Sequence, residues 1–144
     1  MATTTWTAAT TPDKVWEVLE DGWLFPLWVV GACRIRGVDA SWPAPGSRLH
    51  HSVGVWPAAF DDHTESLACD TGERLELQAR AWPLGEARVL ITLQPDDQGT
   101  EITLEEDVTH GPGTFLPPPV RAAALQVRNK ETLRRLAMLA EGRS

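Results

Sequence analysis

Polar side chains stand at places where the pattern of the chain calls for apolar ones, and these are the residues able to do chemistry. Side chains alternate across a strand, so residues of one parity share a face. Glu106 shares the parity of Ile102, Leu104 and Val108, whereas Thr103, Glu105 and Asp107 take the other. His51 likewise shares the parity of Leu49, Val53 and Val55. Asn129 lies four residues from both Leu125 and Leu133, inside an apolar helical stripe continued by Leu136 and Ala140. A His, a Glu and an Asn converging on one cavity could orient a ligand carbonyl or hydroxyl. With an acidic C–H nearby they could also move a proton, which makes His51 and Glu106 the candidate general acids or bases. An ionised carboxylate facing an apolar interior is costly, so Glu106 should be protonated, wet or paired with a cation, and His51 is the expected partner. Structural readings stand beside these. A bulge would turn Glu106 outward, His51 could simply bond backbone, and Asn129 could satisfy a carbonyl or hold a structural water.

The elements that must position these residues follow from local signals. Thr3 to Ala9 suits a strand. Thr11-Pro12-Asp13 supplies a cap, a proline at the first helical position and an acid in the first turn, ahead of Val15, Trp16 and Leu19 at helical spacing. The apolar stretch Trp23 to Gly31, broken by Pro26, predicts a second short helix or irregular turn. Extended runs follow at Cys33 to Val38, Arg48 to Trp56, Ala59 to Cys69, Arg74 to Trp82, Ala87 to Gln94 and Thr100 to Thr109, divided by Pro, Gly and Asp turn formers. Gly111 to Pro119 is too rich in Pro and Gly for regular structure, and it is a suitable gate. The segment from about Pro119 to Glu141 has no internal Gly or Pro and predicts one helix roughly 33 Å long.

Consecutive strands joined by short turns pair antiparallel. The fold class is therefore α+β: a seven-stranded curved antiparallel sheet, two short helices after the first strand, and a long C-terminal helix across the concave face. Cys33 and Ile35 oppose Arg34 and Arg36. Leu75, Leu77 and Ala79 oppose Arg74, Glu76, Gln78 and Arg80, while Val89, Ile91 and Leu93 oppose Arg88. Residues 1–144 form one domain on this reading. The expected cavity wall is Trp28, Val53, Val55, Leu77, Val89, Ile91, Leu104 and Leu133, with His51, Glu106 and Asn129 as its polar members.

Charge and composition exclude several classes. The formal net charge of −7 disfavours nucleic-acid binding. The basic stretch from Val120 to Ser144, carrying Arg121, Arg128, Lys130, Arg134, Arg135 and Arg143, reads as a solvated helix face in preference to an anion-docking site. No run is long enough for membrane insertion and no signal segment opens the chain, so a cytoplasmic location is expected. Cys33 and Cys69 read as reduced, buried thiols. Asp61-Asp62-His63 is a weak metal pattern because alternation splits neighbours between faces, and neither a metal nor a cofactor is expected. His63 and His110 read as surface residues. Seven Trp beside no Tyr place Trp16, Trp28 and Trp56 in the core or cavity and Trp42 and Trp82 over turns.

The element order, together with Thr11-Pro12-Asp13-Lys14-Val15-Trp16-Glu17-Val18-Leu19, resembles the helix-grip (START-like, SRPBCC) superfamily over essentially the whole chain. That superfamily includes START lipid-transfer domains, the major birch-pollen allergen and polyketide cyclase/dehydrase proteins. Trp28-Val29-Val30-Gly31, Trp42 to Ser47, His50 to Pro57, Trp82 to Ala87 and Arg128 to Leu133 are similar to an actinobacterial polyketide-cyclase-like branch. The resemblance implies a ligand cavity between sheet and long helix and no universal catalytic residue. It leads to a binding or carrier protein for a lipid, polyketide or aromatic metabolite. The alternatives are a cyclase or dehydratase using Glu106 or His51, and a protein-interaction module of the heat-shock ATPase activator type.

Overall fold

A computed structural model describes residues 2–53 and 59–143, with the backbone alone for Cys33. Strand β1 (Ala2–Ala8) leads into α1 (Pro12–Glu20), a 3₁₀ turn (Gly22–Leu24) and the short α2 (Phe25–Trp28). Six strands follow: β2 (Ala32–Val38), β3 (Arg48–Val53), β4 (Phe60–Asp70), β5 (Arg74–Ala81), β6 (Gly85–Asp96) and β7 (Gly99–His110). A second 3₁₀ turn (Pro112–Phe115) precedes α3 (Pro118–Glu141). All pairings are antiparallel, in the order β1-β7-β6-β5-β4-β3-β2. The expected α+β helix-grip architecture is present. The Gly111 to Pro119 segment differs in detail, because it holds one turn of 3₁₀ helix where none was expected.

Chain-local chemistry accounts for the joints. Pro12 starts α1, and the Thr11 carbonyl accepts from the Lys14 and Val15 amides, although the expected Thr11 side-chain cap is not made. Register shifts in β2 and between Ser66 and Ala68 of β4 add local twist, which lets the sheet coil around α3. At the β6 start, Gly85 has φ +131° and an added Cβ would lie 2.1 Å from the His110 carbonyl oxygen. Gly111, at φ +95°, meets Gly85 from the other side, so this close approach of two backbones requires glycine.

The core divides along α3. Its C-terminal half buries Leu133, Leu136, Ala137 and Ala140 among Val15, Val18, Leu19 and Ala8 in one continuous apolar cluster. Trp42 joins that cluster and donates from its indole nitrogen to the Leu19 carbonyl, so it packs inside and does not merely cover a turn. Trp82, by contrast, is partly exposed. Cys69 is a half-buried free thiol, and the side chain of Cys33 lies outside the described residues. No helix among the described residues is long and apolar enough to cross a membrane.

Candidate functional site

The N-terminal half of α3 does not close down on the sheet. Between them lies a cavity of about 500 Å³. Its sheet side is built by β5 (Leu77, Ala79, Ala81), β6 (Ala87, Val89, Ile91) and β7 (Leu104, Glu106, Val108). Phe25, Trp28 and Val29 close one end, and Leu125, Arg128, Asn129 and Thr132 of α3 form the roof. Leu84, from the β5–β6 turn, and Leu116, just after the second 3₁₀ turn, line it while remaining 70% and 46% exposed, which places the mouth between those two loops. Strand alternation explains the wall: Ala79 pairs with Ala87, Leu77 with Val89, and Val89 with Glu106 across regular antiparallel ladders.

Glu106 therefore faces inward as its parity indicates, with 3% of its surface exposed. The register shift in the β6–β7 pair falls beyond it, at Glu86 and Ala87, and leaves its orientation intact. Its partner is not His51. Arg128 Nη2 reaches Glu106 Oε1 at 2.5 Å and also donates to Asn129 Oδ1 at 3.3 Å. A carboxylate, a guanidinium and an amide thus form one network across the cavity from β7 to α3. A second bridge between the same elements joins Arg121 to Asp107 at 3.4 Å.

His51 is inward and buried, yet it is not part of the cavity wall. Its Nε2 lies 2.8 Å from the Thr64 hydroxyl, and its ring stacks on Phe25 with centroids 5.6 Å apart. Phe25 itself lines the cavity, so the position on the wall that parity suggested for His51 is taken by an α2 side chain. Burial pushes the His51 pKa down to about 4, against an opposing pull from Asp62. The ring is accordingly neutral at physiological pH.

Trp28, Leu77, Val89, Ile91, Leu104, Glu106 and Asn129 meet at the cavity, while other expected wall residues do not. Val53 ends β3, beside the edge strand β2 and away from β5–β7, and is only half-buried. Leu133 is fully buried one helical turn beyond Asn129, where α3 has reached the solid core. Val55 and Trp56 lie outside the described residues.

Arg128 was not among the expected cavity residues; it stood in the sequence as part of a basic face and of the stretch Arg128 to Leu133. The signal was available, since Leu125, Arg128, Asn129 and Thr132 stand at i, i+3, i+4 and i+7 of one helix. Phe25, hidden in the proline-broken segment, had no such periodicity. Thr132 does more than line the cavity, because its hydroxyl accepts from the Val30 amide and fastens α3 to the chain after α2. The basic residues of α3 and of the chain after it are largely committed within the molecule: Arg134 and Arg135 pair with Glu131, and Arg143, beyond the helix, with Glu17. No cluster of three or more potential metal ligands occurs among the described residues.

A sequence model of the family described as "Polyketide cyclase / dehydrase and lipid transport" matches residues 2–141. Solved structures share the fold at low identity. Protein CV1439 from Chromobacterium violaceum superposes with a TM-score of 0.74 at 18% identity, covering 98% of this chain and 97% of that one. Ara h 8.0201 gives a TM-score of 0.73 at 13% identity, covering 98% and 97%. The di-domain ARO/CYC StfQ from the steffimycin biosynthetic pathway gives 0.71 at 14% identity, covering 96% of this chain and 49% of its own. No curated protein matches in sequence.

Proposed function

Because the chain belongs to the polyketide cyclase / dehydrase and lipid transport family, we propose that it binds a hydrophobic small molecule, a lipid, polyketide or aromatic metabolite, between β5–β7 and the N-terminal half of α3. The observation that carries this reading is the cavity itself. Its volume of about 500 Å³ suits a small organic ligand, and its wall is apolar except for a few placed polar groups. StfQ, a di-domain ARO/CYC from a biosynthetic pathway, shares the fold, which supports an aromatic or polyketide ligand by analogy alone.

A carrier role fits the polar groups better than a catalytic one. A general base needs an accessible lone pair at the reacting atom. His51 is bound to Thr64 and stands behind the wall residue Phe25, out of a ligand's reach, and Glu106 has one carboxylate oxygen committed to Arg128. The interaction-module alternative rested on the basic final helix, whose charges are now largely paired internally. Native mass spectrometry after incubation with a cell extract tests the proposal. A retained small molecule, displaced when Ala79 is replaced by Phe to crowd the cavity, is the expected result. Retention of nothing, with no binding of an environment-sensitive apolar dye, would sink it.

A further inference from the structure

Among the described residues, Trp28 Nε1, Asn129 Nδ2 and Arg128 Nε are buried nitrogens with no hydrogen-bond partner in the protein. All three residues belong to the cavity wall, and Trp28 and Asn129 are only 3% and 1% exposed. The amide orientation of Asn129 is set by Arg128, whose Nη2 donates to Oδ1 and so leaves the NH₂ group as the unpaired end. The unmet need at this wall is for acceptors, since each of the three atoms carries an N–H. Buried donors without partners are rare in native proteins, and a group entering the cavity with a lone pair would relieve them.

Charge narrows the class. The ionisable wall residues are Glu86, Glu106 and Arg128. Arg128 is already paired with Glu106, and Glu86 is held by Arg80 and the Trp82 indole. Among the described residues the one cation of the wall is therefore already paired, and an entering carboxylate would meet that of Glu106 with no second cation to balance it, since Glu86 is engaged by Arg80 and Gln78 of the opposite sheet face. We infer that the wall around Asn129 and Trp28 is a subsite for an uncharged acceptor oxygen, such as a ketone, quinone or amide carbonyl, and that it discriminates against carboxylates. This rests on the proposal that the cavity binds a small molecule, and it adds which ones.

Fluorene, 9-fluorenone and fluorene-9-carboxylate share one ring frame and differ in the oxygen they present, so their affinities, measured by equilibrium dialysis, form the test. Fluorenone should bind about tenfold tighter than fluorene, the scale of one well-made hydrogen bond, and the carboxylate no tighter than fluorene. Asn129→Leu, or Trp28→Phe if the first variant does not fold, should shrink the ratio of fluorenone to fluorene affinity severalfold, whichever way the two affinities move together. Equal binding of fluorene and fluorenone, or tightest binding of the carboxylate, would overturn the subsite while leaving the cavity reading intact. Failure of all three to bind would remove both.

Discussion

Glu106 and Arg128 make a pair whose two members differ in burial: the side chains are 4% and 40% exposed. Removing the guanidinium leaves a carboxylate inside an apolar wall, so Arg128→Met should destabilise by about 1–3 kcal/mol. The double variant with Glu106→Leu should recover most of that loss, because no uncompensated group remains. Urea unfolding of the four proteins in a double-mutant cycle checks this, and a strictly additive result would show the pair to be energetically idle. His51 yields a prediction of different form. Its folded pKa of about 4 lies below the ordinary 6.5, so between those values the unfolded chain binds more protons than the folded one. Stability contributed by the neutral ring is complete above about pH 6.5 and falls as pH drops toward 4, by up to roughly 3 kcal/mol. His51→Gln should flatten that part of the stability-versus-pH curve, with His63, shifted in the same direction, supplying the remainder. Parity read the inward orientation of both residues from sequence. It could not read their partners, because a pairing across 22 residues depends on how far an arginine reaches over a cavity, and the neighbour of His51 depends on where a proline-broken helix lands.

At the scale of elements, the mouth is organised by the end of β7, the start of β6 and the turn between β7 and α3. Gly85 and Gly111 press together there, and Gly85 also lines the cavity. Gly85→Ala must place a methyl against the His110 carbonyl at a φ that L residues avoid, so a loss above about 1 kcal/mol is expected. Thermal unfolding measures it, and an unchanged midpoint would mean the two backbones can part freely. Phe115 is 88% exposed on the adjoining 3₁₀ turn, so Phe115→Ser should change stability by less than about 0.5 kcal/mol. If the turn gates the mouth, that same substitution should alter ligand exchange rates. Strands, helices and the antiparallel pairing of consecutive strands were legible because alternation, turn residues and a proline-started helix each leave local marks, whereas the pairing of β1 with β7 leaves none. The split of α3 into a roofing half and a core half was less legible. Leu125 and Leu133 look alike in the apolar stripe, yet only Leu133 is fully buried, since the curvature of the sheet and not the stripe sets where helix and sheet meet.

Across the whole molecule, a cavity of this size is a cost that a solid core would avoid, because side chains on its wall forgo packing against other side chains on one side. The two bridges from β7 to α3, Glu106 to Arg128 and Asp107 to Arg121, tie the roof to the sheet across or beside that space. Opposite changes to the wall should then have opposite effects on stability. Leu77→Ala enlarges the void at a residue 2% exposed and should cost about 2–5 kcal/mol, as deletions from packed cores do. Ala79→Phe adds bulk on the same strand face where there is room, so it should leave stability unchanged or raised. In an ordinary core such overpacking costs about 1–3 kcal/mol. Binding separates the variants further: a ligand that occupies only the folded protein raises stability with concentration, by about 2.7 kcal/mol at one hundred times Kd. Wild type should show that rise with a bound apolar ligand, and Ala79→Phe should not. Denaturant titrations with and without ligand decide the matter, and a destabilised Ala79→Phe that still responds to ligand would mean that the ligand sits elsewhere than between this strand and the roof.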